Sequence, residues 1–134
     1  MTTVVEQIES LVSNGVPANH ITVAGTSKGG YIAQYVSTLA NRPDLNFVLI
    51  ASYHESDLQN IPEMNFCGNS LNIYESSDPD GAFAKARLQN TTCEIKYFKE
   101  IKIHTGLGHG FLFRAMDEWI TPTVAWAKGD YNNP

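Results

Sequence analysis

Two kinds of hydrophobic segment alternate along this chain. One kind has the spacing of helices, and the other has the composition of strands. Apolar residues recur every three to four positions in several segments, which predicts helices over residues 4–14, 28–40 and 82–88, a helical turn at 56–61, and a final helix from Gly110 onward that restarts at Pro122. Runs of apolar and β-branched residues predict strands over residues 20–25, 46–52, 70–75 and 93–104.

The alternation of strands with helices predicts the fold class: α/β, with a mainly parallel four-stranded sheet and flanking helices. Right-handed crossovers place the connecting helices on one face of the sheet and leave the last helix to cover the other face. In such sheets, functional groups gather at the carboxyl ends of the strands. The loops of interest therefore follow Gly25, Ser52, Glu75 and His104.

Length and composition narrow the classes of function. A chain of 134 residues suits one domain, spanning residues 1–134. Its 43% hydrophobic and 17% charged residues are typical of a soluble globular protein. A net charge of -5 and the lack of a basic run argue against a nucleic-acid partner. No apolar stretch approaches the roughly 18 residues of a membrane span, so no membrane partner is expected.

The N-terminus and the cysteines predict a location in the cytoplasm. The first ten residues, MTTVVEQIES, lack the charged and apolar regions of a secretory signal. Two cysteines, Cys67 and Cys93, do not make a disulfide framework, and we interpret them as free buried thiols.

The first loop, GTSKGG at residues 25–30, carries the pattern G-x-S-x-G between a predicted strand and a predicted helix. In that context the pattern indicates a nucleophile elbow, a tight turn that lifts the Ser27 hydroxyl above the sheet and leaves no room for side chains at the flanking glycines. The N–H of Lys28, at the start of the helix, is the candidate donor of an oxyanion hole. Ser27 as a helix N-cap and a phosphate-binding loop are the competing interpretations, although the spacing of a phosphate-binding loop is different.

A serine nucleophile needs a base, and four histidines compete for that role. His109 is favoured because it lies in GLGHG, a loop between the fourth strand and the last helix whose glycines let the imidazole swing over the elbow. His104 and His54 remain alternatives at the same edge of the sheet. His20 precedes the first strand, at the opposite edge, and is interpreted as structural.

The histidine in turn needs a carboxylate that fixes its tautomer. Asp78 and Asp80 follow the third strand, whereas Glu55 and Asp57 follow the second. We favour Asp78, because Asp80 has the position of a helix N-cap. The resulting order along the chain is serine, aspartate, histidine, as in hydrolases that carry this elbow.

Taken together, the strand–GTSKGG–helix unit, the SSDPDG turn and the GLGHGF loop resemble the α/β-hydrolase superfamily. They are most similar to its small, capless esterase-like and dienelactone-hydrolase-like members, over residues 3–127. The resemblance implies a serine esterase that hydrolyses a carboxylic ester through an acyl-enzyme, without metal or cofactor. The short connection over residues 53–69 leaves little room for a lid, which favours short or water-soluble acyl substrates. Pocket residues at the same edge are Tyr53, His54 and Phe111.

The sequence departs from the family pattern at its N-terminal end. Strands that normally precede the elbow are missing, so the chain resembles the C-terminal half of the fold, and Lys28 N–H lacks the second oxyanion donor that comes from that region. The strand at residues 21–25 then lies at the edge of the sheet, where we expect it to pair with another copy in a homo-oligomer. The alternatives to an esterase are a non-catalytic binding or assembly module and a fragment that needs a missing half.

Overall fold

The computed structural model of the protein describes residues 2–52, 66–79, 93 and 95–131. The helices are α1 (Thr2–Ser13), α2 (Lys28–Ala40) and α3 (Asp117–Ala127), and the strands are β1 (Thr22–Thr26), β2 (Asn46–Ile50), β3 (Asn69–Glu75) and β4 (Phe98–Ile103). Two short 3-10 helices span Ala18–His20 and Gly108–Phe113. The predicted helical segments at residues 56–61 and 82–88 lie outside the described residues.

All four strands run parallel and stand in the order β1-β2-β3-β4, which confirms the predicted fold class. Every residue of β2 is buried, because helices pack on both faces of the sheet. On one face Phe47 packs in a cluster with Ile8 of α1 and Val36 of α2. On the other face the next residue, Val48, packs in a cluster with Trp126 of α3. The last helix therefore covers the face opposite α2, the one connecting helix within the described residues, as predicted.

Several boundaries differ from the prediction; the end of β2, for example, lies at Ile50 rather than at residue 52. β1 begins at Thr22, because the residues before it close a 3-10 turn with a hydrogen bond from Ile21 N to Ala18 O. β4 begins only at Phe98. The predicted final helix is divided into a 3-10 helix and α3, and α3 continues through Pro122 without a restart, although a proline cannot donate a helical hydrogen bond.

Cys67 and Cys93 form a disulfide, so the interpretation of two free thiols is wrong. Their Cα atoms lie 5.3 Å apart, within the range of a disulfide. The positions of the two cysteines in the sequence do not reveal this proximity. A bond between positions 26 residues apart restricts the unfolded chain, which stabilises the fold by about 3–4 kcal/mol. Disulfides persist mainly in oxidising compartments, so the two cysteines do not support the predicted cytoplasmic location. Among the described residues, no helix combines the length and the apolar character needed to cross a membrane.

One edge of the sheet in the described part of the chain is β1, as the sequence predicts. A groove of about 470 Å³ runs beside this strand between α1 and α2. Leu11 and Ile32 line the groove and are exposed, and so is Ala24 within the strand. An apolar edge strand with unpaired backbone groups is a site at which another strand can add. Pairing with a second copy stays a prediction.

Light scattering at micromolar concentration tests that prediction. We expect a mass above the 14.8 kDa of one chain. Ala24→Lys places a charge in the edge strand and is expected to restore the monomer. The matched control is Ala127→Lys, the same change at an exposed position at the end of α3, which is expected to leave the assembly intact. A monomeric parent protein would refute pairing through β1.

Candidate active site

Ser27 occupies the turn between β1 and α2 in a backbone conformation that residues other than glycine rarely adopt. Its φ of 53° and ψ of -119° lie outside the broadly allowed regions, at a cost of about 1–3 kcal/mol. Neighbouring backbone groups hold it there: Ser27 N donates to Ile50 O at 2.8 Å, and Gly30 N donates to Ser27 O at 3.0 Å. This strained strand–turn–helix geometry is the one that the G-x-S-x-G pattern predicts.

Two glycines make the turn possible, and one of them lies outside the five-residue pattern. A Cβ atom at Gly25 would stand 2.2 Å from the carbonyl oxygen of Gly29, and one at Gly30 would stand 2.3 Å from Cβ and Oγ of Ser52. A Cβ at Gly29 would meet nothing within 4 Å. The expectation that both glycines flanking the serine exclude side chains is therefore right for Gly25 and wrong for Gly29; the close approach falls at Gly30.

His109 reaches the serine from the other side of the site. Its Nε2 atom lies 2.9 Å from Ser27 Oγ. His109 belongs to the 3-10 helix Gly108–Phe113, so it is held in an ordered turn rather than in an open loop. Gly106 and Gly108 have φ values of 71° and 58°, and these left-handed conformations bring the chain from β4 into that turn. The side chain is 30% exposed, which leaves the imidazole accessible from solvent.

Asp78 lies on the far side of the imidazole. Its Oδ2 atom is 2.8 Å from His109 Nδ1, and its side chain is fully buried. An ionised carboxylate only accepts hydrogen bonds, so Nδ1 carries the proton and the lone pair of Nε2 faces the hydroxyl of Ser27. Three residues separated by 51 and 31 positions along the sequence thus form one hydrogen-bonded chain, Ser27–His109–Asp78.

The alternatives to this assignment that lie within the described residues are placed elsewhere or make other contacts. Ser27 makes no side-chain capping bond to α2, because its hydroxyl lies against the imidazole instead. His104 is exposed after the end of β4, and His20 is exposed at the amino edge of the sheet. The candidates that come from the two connecting segments, His54, Glu55, Asp57 and Asp80, lie outside the described residues.

The residues predicted to bind the substrate or the oxyanion have different outcomes. Lys28 is the first residue of α2, where backbone N–H groups have no acceptor within the helix and the helix dipole favours negative charge. Tyr53 and His54 lie outside the described residues. Phe111 is fully buried in a cluster with Ile73 and Trp126, so it has no surface for a substrate to contact, and its assignment to a substrate pocket is corrected.

One acidic residue beside the site was not singled out from the sequence. Glu75 is the last residue of β3 and is buried, 1% exposed. Burial alone raises the pKa of a carboxyl group, but hydrogen bonds from Ser77, Ser76 and Thr105 outweigh it and lower the pKa from 4.5 to about 2. The sequence signal that could have found it is an acidic residue at the buried carboxyl end of a strand, three positions before the favoured aspartate.

Comparisons with known proteins bear on the fold. A scan against protein-family models found no match, and a search of curated proteins found none either. Among solved structures, the protein is similar to the crystal structure of a variant of SOBER1 from Arabidopsis thaliana, with a TM-score of 0.65 and 18% sequence identity. The similarity covers 96% of this chain and 62% of that chain. The protein therefore has an α/β-hydrolase-like fold and spans about three fifths of that structure's length.

Proposed function

We propose that the protein is a serine hydrolase that cleaves a carboxylic ester through an acyl-enzyme, with Ser27 as nucleophile, His109 as general base and Asp78 as its orienting carboxylate. One observation carries the proposal: the hydrogen-bonded chain Ser27–His109–Asp78 at the carboxyl edge of the sheet, with the serine in a strained turn. A structural serine would need neither the strain nor the aligned imidazole.

Acylation begins with the proton of the Ser27 hydroxyl. His109 Nε2, 2.9 Å from Oγ, accepts that proton as Oγ bonds to the ester carbonyl carbon. Asp78 stabilises the imidazolium without taking the proton. The tetrahedral intermediate collapses when the carbon–oxygen bond to the alcohol breaks, and His109 returns the proton to the departing alcohol. The products of this half-reaction are the free alcohol and an ester of Ser27.

Deacylation repeats the sequence with water. His109 accepts a proton from a water molecule, whose oxygen attacks the acyl carbonyl carbon. The bond to Ser27 Oγ then breaks, and the proton returns to Oγ, which releases the carboxylic acid and regenerates the enzyme. The 30% exposure of the His109 side chain gives water and a soluble substrate access to this position.

Negative charge on the carbonyl oxygen develops near the start of α2. The N–H of Lys28 and the dipole of the helix stabilise that charge. The described sheet ends at β1, so no described strand lies on the side from which the second donor comes in this fold. Loss of one donor costs about 2.7–4 kcal/mol, so we expect a slow enzyme unless a further segment or partner supplies the missing donor. The proposed substrates are esters with short or water-soluble acyl groups.

A fluorophosphonate probe tests the proposal directly. Attack by Ser27 Oγ on phosphorus expels fluoride and leaves a stable phosphonyl ester, which peptide mass spectrometry locates. We expect the label on Ser27 of the folded protein and on no serine of a heat-denatured sample. Ser52 is an internal control, because it lies beside the site but is buried.

The second candidate is a non-catalytic module that acts through the apolar edge of β1. The groove beside that strand favours it. A folded sample that remains unlabelled would support the module over the hydrolase. Labelling that appears only after a longer form of the chain is supplied would support a fragment that needs its missing half.

A further inference from the structure

The proposed chemistry needs the loops that carry Ser27, Asp78 and His109 to keep fixed relative positions. The bond between His109 and Asp78 is not the only contact between the last two loops. The Asp78 loop leaves β3 and the His109 loop leaves β4, two neighbouring parallel strands. The carboxylate of Glu75 lies where these two loops begin. Among the described residues, no Lys, Arg or His forms an ion pair with it, so hydrogen bonds alone satisfy this buried group.

Three donors from the described part of the Asp78 loop bind that carboxylate. Ser77 N donates to Oε1 at 2.7 Å, and the Ser76 hydroxyl donates to the same oxygen at 3.0 Å. The Ser77 hydroxyl donates to Oε2 at 2.6 Å. Thr105, in the segment that follows β4, helps to lower the pKa of Glu75. The carboxylate thus directly holds the start of the Asp78 loop.

The direction of these bonds determines what the hydroxyl groups can do next. An ionised carboxylate cannot donate, so the hydroxyl of Ser77 must give it its only proton. The Ser77 oxygen atom then remains as an acceptor. Gly108 N donates to Ser77 Oγ at 3.0 Å, and Leu107 N donates to Thr105 Oγ1 at 3.2 Å. Glu75 therefore orients the Ser77 hydroxyl toward the Gly108 amide, next to the Leu107 amide that Thr105 binds.

Those amides immediately precede His109, and Ser77 immediately precedes Asp78. The Ser77 hydroxyl, which Glu75 orients, thereby joins the backbone on both sides of the His109–Asp78 bond. Ser76 N also donates to Ile103 O at 2.9 Å, which ties the start of the Asp78 loop to the end of β4. Precise placement matters, because a displacement of about 1 Å at a catalytic group can lower a rate about a hundredfold.

We propose that Glu75 is a positioning residue that, through Ser77, holds the Asp78 and His109 loops in the relative position that the proposed hydrolase needs. The proposal rests on the function proposed above. It assigns Glu75 no contact with substrate. Its effect passes through the backbone of the two loops to the imidazole.

Glu75→Gln is the first test. The side chain keeps its size, but one of its two acceptor oxygens becomes an NH₂ donor that faces donors. We expect the rate constant for fluorophosphonate labelling of Ser27 to fall about tenfold to a hundredfold. The matched control is Glu100→Gln, the same change in β4, where the carboxylate accepts a hydrogen bond from Asn72 instead. This control is expected to label at the parent rate.

Ser77→Ala is the second variant and serves if Glu75→Gln does not fold. Ser77 is exposed, so the loss of its hydroxyl leaves the core unchanged but removes the bridge to Gly108 N. We expect a similar fall in labelling rate. Because both variants break one bridge, we expect the double variant to be no slower than Glu75→Gln.

An NMR measurement separates this proposal from the function on which it rests. The His109 Nδ1 proton bound to Asp78 should give a strongly deshielded resonance, which we expect to broaden or vanish in Glu75→Gln and Ser77→Ala and to persist in Glu100→Gln. If the parent protein is labelled, parent-like labelling of folded Ser77→Ala overturns the positioning role. If the parent is not labelled, the hydrolase proposal fails, and the resonance decides: its persistence in Ser77→Ala overturns the positioning role.

Discussion

Ser27→Ala is expected to lower kcat for a soluble ester such as p-nitrophenyl acetate by about a millionfold, or to the background rate of the buffer. The substitution removes the oxygen atom that forms the acyl-enzyme. His109 and Asp78 would keep their 2.8 Å hydrogen bond, because neither needs the serine hydroxyl to hold its place. Steady-state hydrolysis and thermal unfolding of the same preparation measure the two effects separately. Activity above about one hundredth of the parent value in Ser27→Ala would contradict the assignment.

Combination with a histidine variant makes this prediction sharper. His109→Gln removes the base, and without a base the Ser27 hydroxyl is a weak nucleophile, so the loss should be similar. The double variant should be no slower than either single variant, because the two residues act as one unit. His104→Gln is the matched control: the histidine is five positions earlier and exposed, and we expect parent activity. Additive losses in the double variant would indicate that the two side chains do not act together.

Asp78→Asn is expected to lower kcat by about ten-thousandfold with little change in KM. An asparagine can present its NH₂ group to His109 Nδ1, which then must be the acceptor. The proton moves to Nε2, and the nitrogen that faces Ser27 Oγ at 2.9 Å can no longer receive the hydroxyl proton. The variant should fold, since asparagine fills nearly the same volume in the buried position of Asp78.

A control variant and a measurement at high pH test the same assignment. Asp117→Asn makes the same change at an exposed position in the first turn of α3 and should leave kcat within about twofold, since a dipole contact there is worth about 0.3–1 kcal/mol of helix stability. Activity of Asp78→Asn should recover partly at high pH, where hydroxide lessens the need for the base. A parent-like kcat in Asp78→Asn would exclude Asp78 as the orienting carboxylate.

Much of the fold follows from hydrophobic spacing, because each strand and helix carries its own local pattern. The parallel sheet, the position of β1 at its edge and the two covered faces were all predicted. The hydrogen-bonded chain of serine, histidine and aspartate has the geometry that the motif and the loop positions suggested. What it catalyses stays a proposal, because a likeness at 18% identity supports only the fold.

Features that depend on contacts between distant segments were not predicted. The disulfide joins two cysteines that chain spacing could not place side by side. Phe111 is an aromatic residue near the strand ends, as is typical of a substrate pocket. It packs beneath the site instead, because the 3-10 helix turns it toward Trp126. Glu75 resembles an ordinary strand-end acid until its bonds to Ser77, and the bond from Gly108 N to Ser77, are known. In each case the residue type is visible along the chain, whereas a tertiary contact decides its role.

The glycines around Ser27 bear on how such sites are found in other sequences. In this turn the residue two positions before the serine and the residue three positions after it must lack a side chain, whereas the residue two positions after it has open space around its Cα atom. A search that demands glycine at that last position would discard chains that carry alanine there and can still form the same turn. A pattern that instead required glycine at −2 and +3 would follow the steric requirement, and would recover divergent relatives that a G-x-S-x-G search overlooks.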